Sequence, residues 1–309
     1  MDKNIKLNPE ESAEEPFVVL DEGALPPVNE FKRFMKIFLR RRVVVFGLVL
    51  VLIILVAGLF PNQLAPNDPY TMDLLNTRAE PSAQFPLGTD NIGRCLLSRI
   101  IHGARLALIT GVCTVIISSV IGSIIGLTAG FSGKVVQDLI MRFTDAWISI
   151  PPLPLMMLIG AILGRGMFGL ILALSLAGFP GYIRLVFGQV MTVKQNDYII
   201  ASTAMGDSKV RIVFKHILPN CISPMIVAMT MAIGGTVMAE AALSFIGLGI
   251  AAPTPAWGTM ANEGYPLLAA HPLLAIAPGL AIVMMVFGFN MVGDGIRDAL
   301  DPKMRGVEK

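Results

Sequence analysis

Apolar residues in this chain fall in long uninterrupted runs, not in the alternation that marks a half-buried strand or a surface helix. Reading between charged residues, the runs are Val43–Phe60, Leu106–Phe131, Ala146–Gly164, Gly166–Ile183, Ile217–Ala239 and Pro272–Gly293. Each approaches or reaches the roughly 20 helical residues needed to cross a hydrocarbon core about 30 Å thick. A seventh uncharged stretch, Ala241–Asn262, holds Gly247, Gly249, Pro253, Pro255 and Gly258. That punctuation frees backbone groups that lipid cannot satisfy. The stretch is therefore expected to be re-entrant or superficial and buried against protein. The pattern predicts an all-α integral membrane bundle of six spans.

Composition sharpens the class. Of 309 residues, 54% are hydrophobic and only 15% are charged, against about 25% in soluble domains. A net charge of +2 gives no case for nucleic-acid binding, and three cysteines give no disulfide framework. The distribution of charge says more than its sum. With six spans, the segments 1–42, 132–145, 184–216 and 294–309 hold 8, 2, 5 and 4 basic residues, 19 of the 24. This positive-inside bias places those segments and both termini in the cytoplasm. The expected divisions are a cytoplasmic tail 1–42, a first span 43–60 and an extracytoplasmic segment 61–105. A helical core 106–293 follows, with the long cytoplasmic loop 184–216 inside it, and then a cytoplasmic tail 294–309. Eight acids and several prolines predict disorder in the first 30 residues, and residues 31–42 predict a short amphipathic surface helix. The first run lies too far from the start for a cleaved signal, so it is expected to remain as an anchor in a bacterial inner membrane.

Catalytic chemistry is missing. His102, His216 and His271 show no ligand spacing, and Cys95, Cys113 and Cys221 read as small packing residues, so no metal is expected. Gly133 and Lys134 resemble the tail of a phosphate loop, but Thr128 stands where its first glycine belongs and Val135 replaces the magnesium-binding hydroxyl. Titratable groups are scarce at depth, with only Glu240 near the end of a span, so no proton relay is written into the helices. The energy for transport would have to come from a partner, unless the chain is a passive pore.

Loop 184–216 is far longer than a hairpin needs. It reads DYIIASTAMG over 197–206, DSKVRIVFKH over 207–216 and ILPN over 217–220. Asp197 can cap a short helix ending at Gly206, which is able to take a positive φ, and Ser208 can cap a second helix that runs into the next span. Two short helices across such a loop make a docking surface or a plain interfacial loop. Here the sequence resembles the permease subunits of ABC importers, whose coupling loop reads E-A-A-x-x-x-G and then, nine residues on, I-x-L-P. Ala201 matches the first alanine, Ser202 stands for the second, and Ile200 replaces the glutamate. Gly206 matches the glycine, and ten residues separate it from Ile217, Leu218 and Pro219. Two further blocks narrow the resemblance to the C-type subunit of the dipeptide/oligopeptide/nickel permeases. One is PLGTDNIGRCLLSR over 86–99, with Cys95 where the family has aspartate. The other is EAALSFIGLG over 240–249, with Pro253, Pro255, Trp257 and Gly258. The run NMVGDGIRDALDP over 290–302 closes the match. The resemblance spans roughly 270 residues, with its motifs in the family's order.

It implies a type I importer permease fold and a homologous permease partner. It also implies an extracytoplasmic substrate-binding protein and two ATPase subunits, docked through Ala201, Ser202, Ala204, Gly206, Ile217 and Pro219. This chain is then no enzyme and binds no cofactor of its own; ATP and magnesium sit on the ATPase partners. The implied cargo is di- and oligopeptides, with nickel, glutathione or another small solute as the alternative in the same class. A secondary carrier or channel is the alternative of a different class. Three single features leave two readings each. Gly122, Gly126 and Gly130 have the small-xxx-small spacing of close helix packing or line a pathway. Glu240 is a pathway or gate charge, or a structural hydrogen-bonding group that orders the segment after it. Pro151, Pro152 and Pro154 shape or kink the start of the third span. On the charged faces, Arg142 is placed to pair with Asp138 or Asp145, and Asp294, Arg297, Asp298 and Asp301 form a C-terminal cap.

Overall fold

The computed structural model describes residues 30–300, and every described regular element is helical. The expected disorder at the N-terminus and the role given to Asp301 fall on residues outside that range. A surface helix, α1 (Glu30–Arg40), leads into α2 (Arg42–Leu59) and the short α3 (Pro61–Leu64). After an irregular segment comes α4 (Leu96–Phe131), then α5 (Lys134–Ile148), α6 (Pro152–Leu163) and α7 (Met167–Val193). The loop helices α8 (Asp197–Ala204) and α9 (Lys209–Ile212) precede α10 (Leu218–Phe245), α11 (Trp257–Gly264) and α12 (Leu273–Leu300).

Among the described residues five helices are long and apolar enough to cross a membrane: α2, α4, α7, the continuous run Lys209–Phe245, and α12. The third expected span is different. Ala146–Gly164 is not one helix; α5 and α6 meet at a 92° bend, and the pair makes a sixth crossing when it is taken as one broken span. The physical cause is local. Pro151 caps α6 and Pro152 opens it, and neither ring nitrogen can donate a hydrogen bond back into α5. At 12 residues, α6 is only about 18 Å long and cannot cross alone.

The other spans outrun their apolar cores. The second begins ten residues early, at Leu96, and the fourth runs on to Val193 into the expected loop. The last continues to Leu300, through most of the tail expected from 294. These polar helix ends are held by tertiary contacts that hydropathy does not register. Arg41 pairs with Asp298 at 2.7 Å, tying the start of α2 to the end of α12. Stretch 241–262 does not span: it ends α10, turns, and forms α11, whose Trp257 is buried and donates its indole N–H to Ile100 O at 2.9 Å.

The bundle is built on α4. It packs along α7, against α2 and against α10, while α12 packs on α10 and α2. Gly122, Gly126 and Gly130 form the α4–α7 contact. A Cβ on Gly126 would lie 2.8 Å from Ile183 O, and one on Gly122 would lie 2.6 Å from Phe179 O. Side chains absent from one helix let the backbone of the other approach, which is how apolar helices gain contact in lipid. Pro180 inside α7 leaves the carbonyl four residues earlier without its usual donor. That carbonyl, Leu176 O, accepts the indole N–H of Trp147 from α5 at 2.9 Å.

Candidate coupling surface and transmembrane cavity

Segment 197–219 forms one end of the bundle. Asn196, not Asp197, takes the N-cap position of α8; Asp197 is the first helical residue. After α8, Gly206 takes φ +86°, the left-handed conformation that lets the chain reverse. Ser208 caps α9, accepting from Arg211 N–H at 3.3 Å. A wide π-type turn over Val213–Ile217 then passes directly into α10, so Lys209–Phe245 is one helical rod.

Two sets of contacts fix this segment to the spans. Inside, Ile199, Ile212, Ile217 and Cys221 pack with Val186, Val190 and Val193 of α7, against Leu127 and Phe131 of α4. Between the short helices, the Ser202 hydroxyl donates to Asp207 Oδ2 at 2.6 Å, and Arg211 Nη1 reaches Asp207 Oδ1 at 2.9 Å. The Ser202 hydrogen bond and then the Arg211 guanidinium hold the Asp207 carboxyl below the usual carboxylate range. Lys194 donates to Gly130 O at 2.9 Å, binding the end of α7 to the last carbonyls of α4.

The outer face of the segment is apolar and uncovered. Ile200 is 57% exposed, Met205 79%, Val210 67% and Phe214 66%. Ala201, Ala204, Gly206 and Pro219 lie on the exposed surface, whereas Ser202 and Ile217 are buried beneath it. The six residues singled out in the sequence therefore separate into an outward set and a set that anchors the surface to the bundle. Ile200, at the position of the family's glutamate, enlarges the apolar part.

A cavity of ≈230 Å³ lies between α4, α7 and α10, lined by Thr114, Ser118, Leu174, Tyr182, Leu185 and Thr236 among others. Glu240 is not among its lining residues. It sits one turn beyond Thr236, 1% exposed, and its Oε1 accepts the Ser244 hydroxyl at 2.8 Å. Ser244 in turn packs where a Cβ on Gly258 would meet its own at 2.8 Å. This placement favours the structural reading of Glu240, which orders the turn from α10 to α11. The glycine face of α4 is likewise occupied by α7 and is not left open.

At the opposite end, the block 86–99 forms a buried ion network that sequence reasoning missed. Arg94 Nε meets Asp90 Oδ2 at 2.6 Å, and Arg94 Nη2 lies 3.5 Å from Glu263 of α11. Arg99 lies 3.5 Å from Asp90 and donates to Pro69 O at 3.3 Å and Pro253 O at 3.2 Å. Two guanidinium and two carboxylate groups thus tie three distant segments together. The motif was visible, but its partner Glu263 stands some 170 residues away with no local signal. Cys95 occupies the N-cap of α4 and makes no capping bond there. On the charged face of α5, Asp145 pairs with Arg184 of α7 at 2.5 Å instead of with Arg142. Among the described residues no three His, Cys, Asp or Glu side chains gather as metal ligands.

Comparison with known proteins gives a consistent result. Residues 122–306 match the family described as binding-protein-dependent transport system inner membrane component, and residues 29–81 match the N-terminal TM domain of oligopeptide transport permease C. The chain is 41% identical to the di/tripeptide transport system permease DppC of Pseudomonas aeruginosa, over 90% of this chain and 94% of the relative. It is 36% identical to the oligopeptide permease OppC of Bacillus subtilis, over 89% and 90%. It is also 37% identical to the glutathione transport permease GsiD of Pectobacterium atrosepticum, over 93% and 95%. Among solved structures, an inward-facing MetNI methionine ABC transporter superposes with a TM-score of 0.56 at 18% identity, covering 66% of this chain and 97% of that one.

Proposed function

Because this chain belongs to the family of binding-protein-dependent transport system inner membrane components, we propose that it is the peptide-translocating permease subunit of an ATP-driven importer. It pairs with a homologous permease, receives di- or oligopeptides from an extracytoplasmic binding protein, and draws its energy from two ATPase subunits that hold the ATP and magnesium. The observation that carries the reading is the uncovered apolar face of 197–219 on top of a single rod, Lys209–Phe245. Exposed apolar patches of this kind mark protein contacts. A push on α8 travels through the Ile199–Ile217 cluster into α4, α7 and α10 as a rigid-body movement, because packed apolar contacts do not deform gradually. The basic-residue bias supports a cytoplasmic position for both chain ends and for 197–219.

Peptide cargo is favoured by the 41% identity to a di/tripeptide permease. The likeness to a glutathione permease supports a second cargo of the same chemical kind, since glutathione is itself a tripeptide. Reconstitution separates the readings. The chain, purified with its co-encoded permease, ATPases and binding protein, is expected to import labelled dipeptide into liposomes only when ATP is supplied. Uptake by this chain alone without nucleotide would refute the importer assignment. Uptake of glutathione with no uptake of dialanine would replace the cargo.

A further inference from the structure

The chain leaving α2 climbs along the part of α4 that outruns its apolar core. A Cβ on Gly58, near the end of α2, would meet Arg105 Cα at 3.2 Å. Farther along, His102 Nε2 meets Asn62 Oδ1 at 3.1 Å, and the backbone N–H of Asn67 donates to Ser98 Oγ at 3.0 Å. Asp73 packs on Gly93, where a Cβ would collide with Asp73 O. The uncharged run of α4 begins at Leu106, so its first turn at Leu96 stands about 15 Å beyond that run. Gly93 lies three residues before that turn. At this height the chain is apolar. Tyr70, Met72, Leu74 and Leu75 are all exposed, Leu74 at 73% and Leu75 at 96%. The loop that carries them is nevertheless braced. Asp73 Oδ1 accepts Leu75 N–H at 3.1 Å, and Oδ2 accepts the Asn76 side-chain amide at 2.7 Å. The buried Thr89 hydroxyl donates to Asn76 O, and Arg78 N–H donates to Asp90 O at 3.0 Å, tying the loop to the ion network. Four large side chains held in this way within 70–75 form a patch, and such patches mark contacts with other molecules.

We infer that loop 70–75 is a seat for the extracytoplasmic substrate-binding protein, which takes Leu74 and Leu75 in an apolar recess. The inference rests on the importer reading, and the matched family is described as binding-protein-dependent. Lipid tails do not reach the patch, because the loop is braced beside residues that stand about 15 Å outside the apolar run of α4. The ATPase subunits belong to 197–219, at the other end of the rod Lys209–Phe245. Basic residues concentrate at that other end, which supports an extracytoplasmic position for 70–75. The one charged residue of the loop, Asp73, is committed to bracing it, so the contact is apolar in character. Bracing also means that no loop has to be ordered on docking, which removes part of the usual cost of association. Each leucine taken out of water then shifts the affinity roughly tenfold. Two such side chains make a contact that forms readily and still releases.

The test uses the complete reconstituted transporter, with the co-encoded binding protein titrated against it in saturating dialanine and ATP hydrolysis as the readout. Leu74→Gln and Leu75→Gln keep the size of the side chain and make it polar. Both leucines lie mostly in water, so the variants are expected to fold and assemble. Each is expected to raise the binding-protein concentration for half-maximal stimulation roughly tenfold. Hydrolysis without binding protein and the rate at saturation should stay unchanged. Leu75→Met, which stays apolar at similar volume, is expected to match the natural chain. Half-maximal concentrations equal to the natural chain's in both Gln variants would overturn the seat while leaving the importer reading intact. Loss of the homologous permease from a purified Gln variant would assign the loop to the permease pair and overturn the seat. A Leu75→Met variant as impaired as Leu75→Gln would overturn the apolar recess. A natural complex that the binding protein does not stimulate at all overturns the importer reading, and the inference with it.

Discussion

Gly126 and Gly160 are both helical glycines, yet the structure gives them opposite expectations. A methyl group on Gly126 would sit 2.8 Å from Ile183 O and 3.0 Å from Val186 Cβ, and a backbone carbonyl in a packed helix has nowhere to retreat. A methyl group on Gly160 would meet nothing within 4 Å. Gly126→Ala is expected to destabilise by about 1–3 kcal/mol through overpacking. Gly160→Ala is expected to be neutral or to gain up to about 1 kcal/mol from helix propensity. Thermal unfolding of the two purified variants in one detergent checks this, and equal melting temperatures would contradict the packing assignment. Asp207 carries the second residue-scale prediction. Its carboxyl is held below its ordinary range by Ser202 and then Arg211, so its contribution to holding α8 against α9 is complete above the ordinary carboxylate range. That contribution is lost as pH falls through the lowered folded value. Amide exchange across 202–211 is expected to accelerate only in acid below the usual range. In Asp207→Asn it should already be faster at neutral pH, with the acid step gone.

At the scale of elements, the segment 197–219 depends on one reversal. Gly206 at φ +86° lets α8 turn back into α9, and proline, fixed near −65°, cannot adopt that conformation. Gly206→Pro is expected to misplace α8 while leaving the spans inserted, because none of them contains the residue. Pull-down of the ATPase subunits should fall at least tenfold with membrane levels unchanged; normal recovery would refute the docking assignment. This segment was largely legible in the sequence, since caps, a reversing glycine and a following apolar run are all local signals. Its anchoring was not. Nothing local says that Ile217 is fully buried while Phe214, three residues earlier, is 66% exposed. The packing of Ile217 in the cluster with Val186, Val190 and Val193 of α7 decides that. The bend between α5 and α6 shows the same limit from the other side. Three prolines announce a disruption, but their number does not say whether a span is kinked or divided, and here it turns through 92°.

In the whole molecule the rod Lys209–Phe245 joins the end formed by 197–219 to the end that holds the ion network. At the second end Arg99, 1% exposed, holds the carbonyls of Pro69 and Pro253 and lies beside Asp90. Arg99→Met removes a buried cation and leaves those acceptors without it, at an expected cost of about 3 kcal/mol. Hydrogen exchange is expected to rise over 66–95 and 250–264 and to stay unchanged over 197–219. Equal acceleration at both ends would mean that the network supports the entire bundle instead of that cap.

Sequence alone determined the class, the number of crossings once the bent pair is taken as one, and the short helices and reversal within 197–219. Hydrophobic length and turn chemistry are properties of short stretches, and lipid enforces them without reference to the rest of the chain. Only tertiary structure decided where the helices end, which residues of 197–219 face outward, and that the α4 glycines are filled by α7. It alone brought Asp90, Arg94, Arg99 and Glu263 together. Those outcomes depend on which helix lies against which, and polar groups inside a bundle are satisfied or orphaned by neighbours far away in the chain.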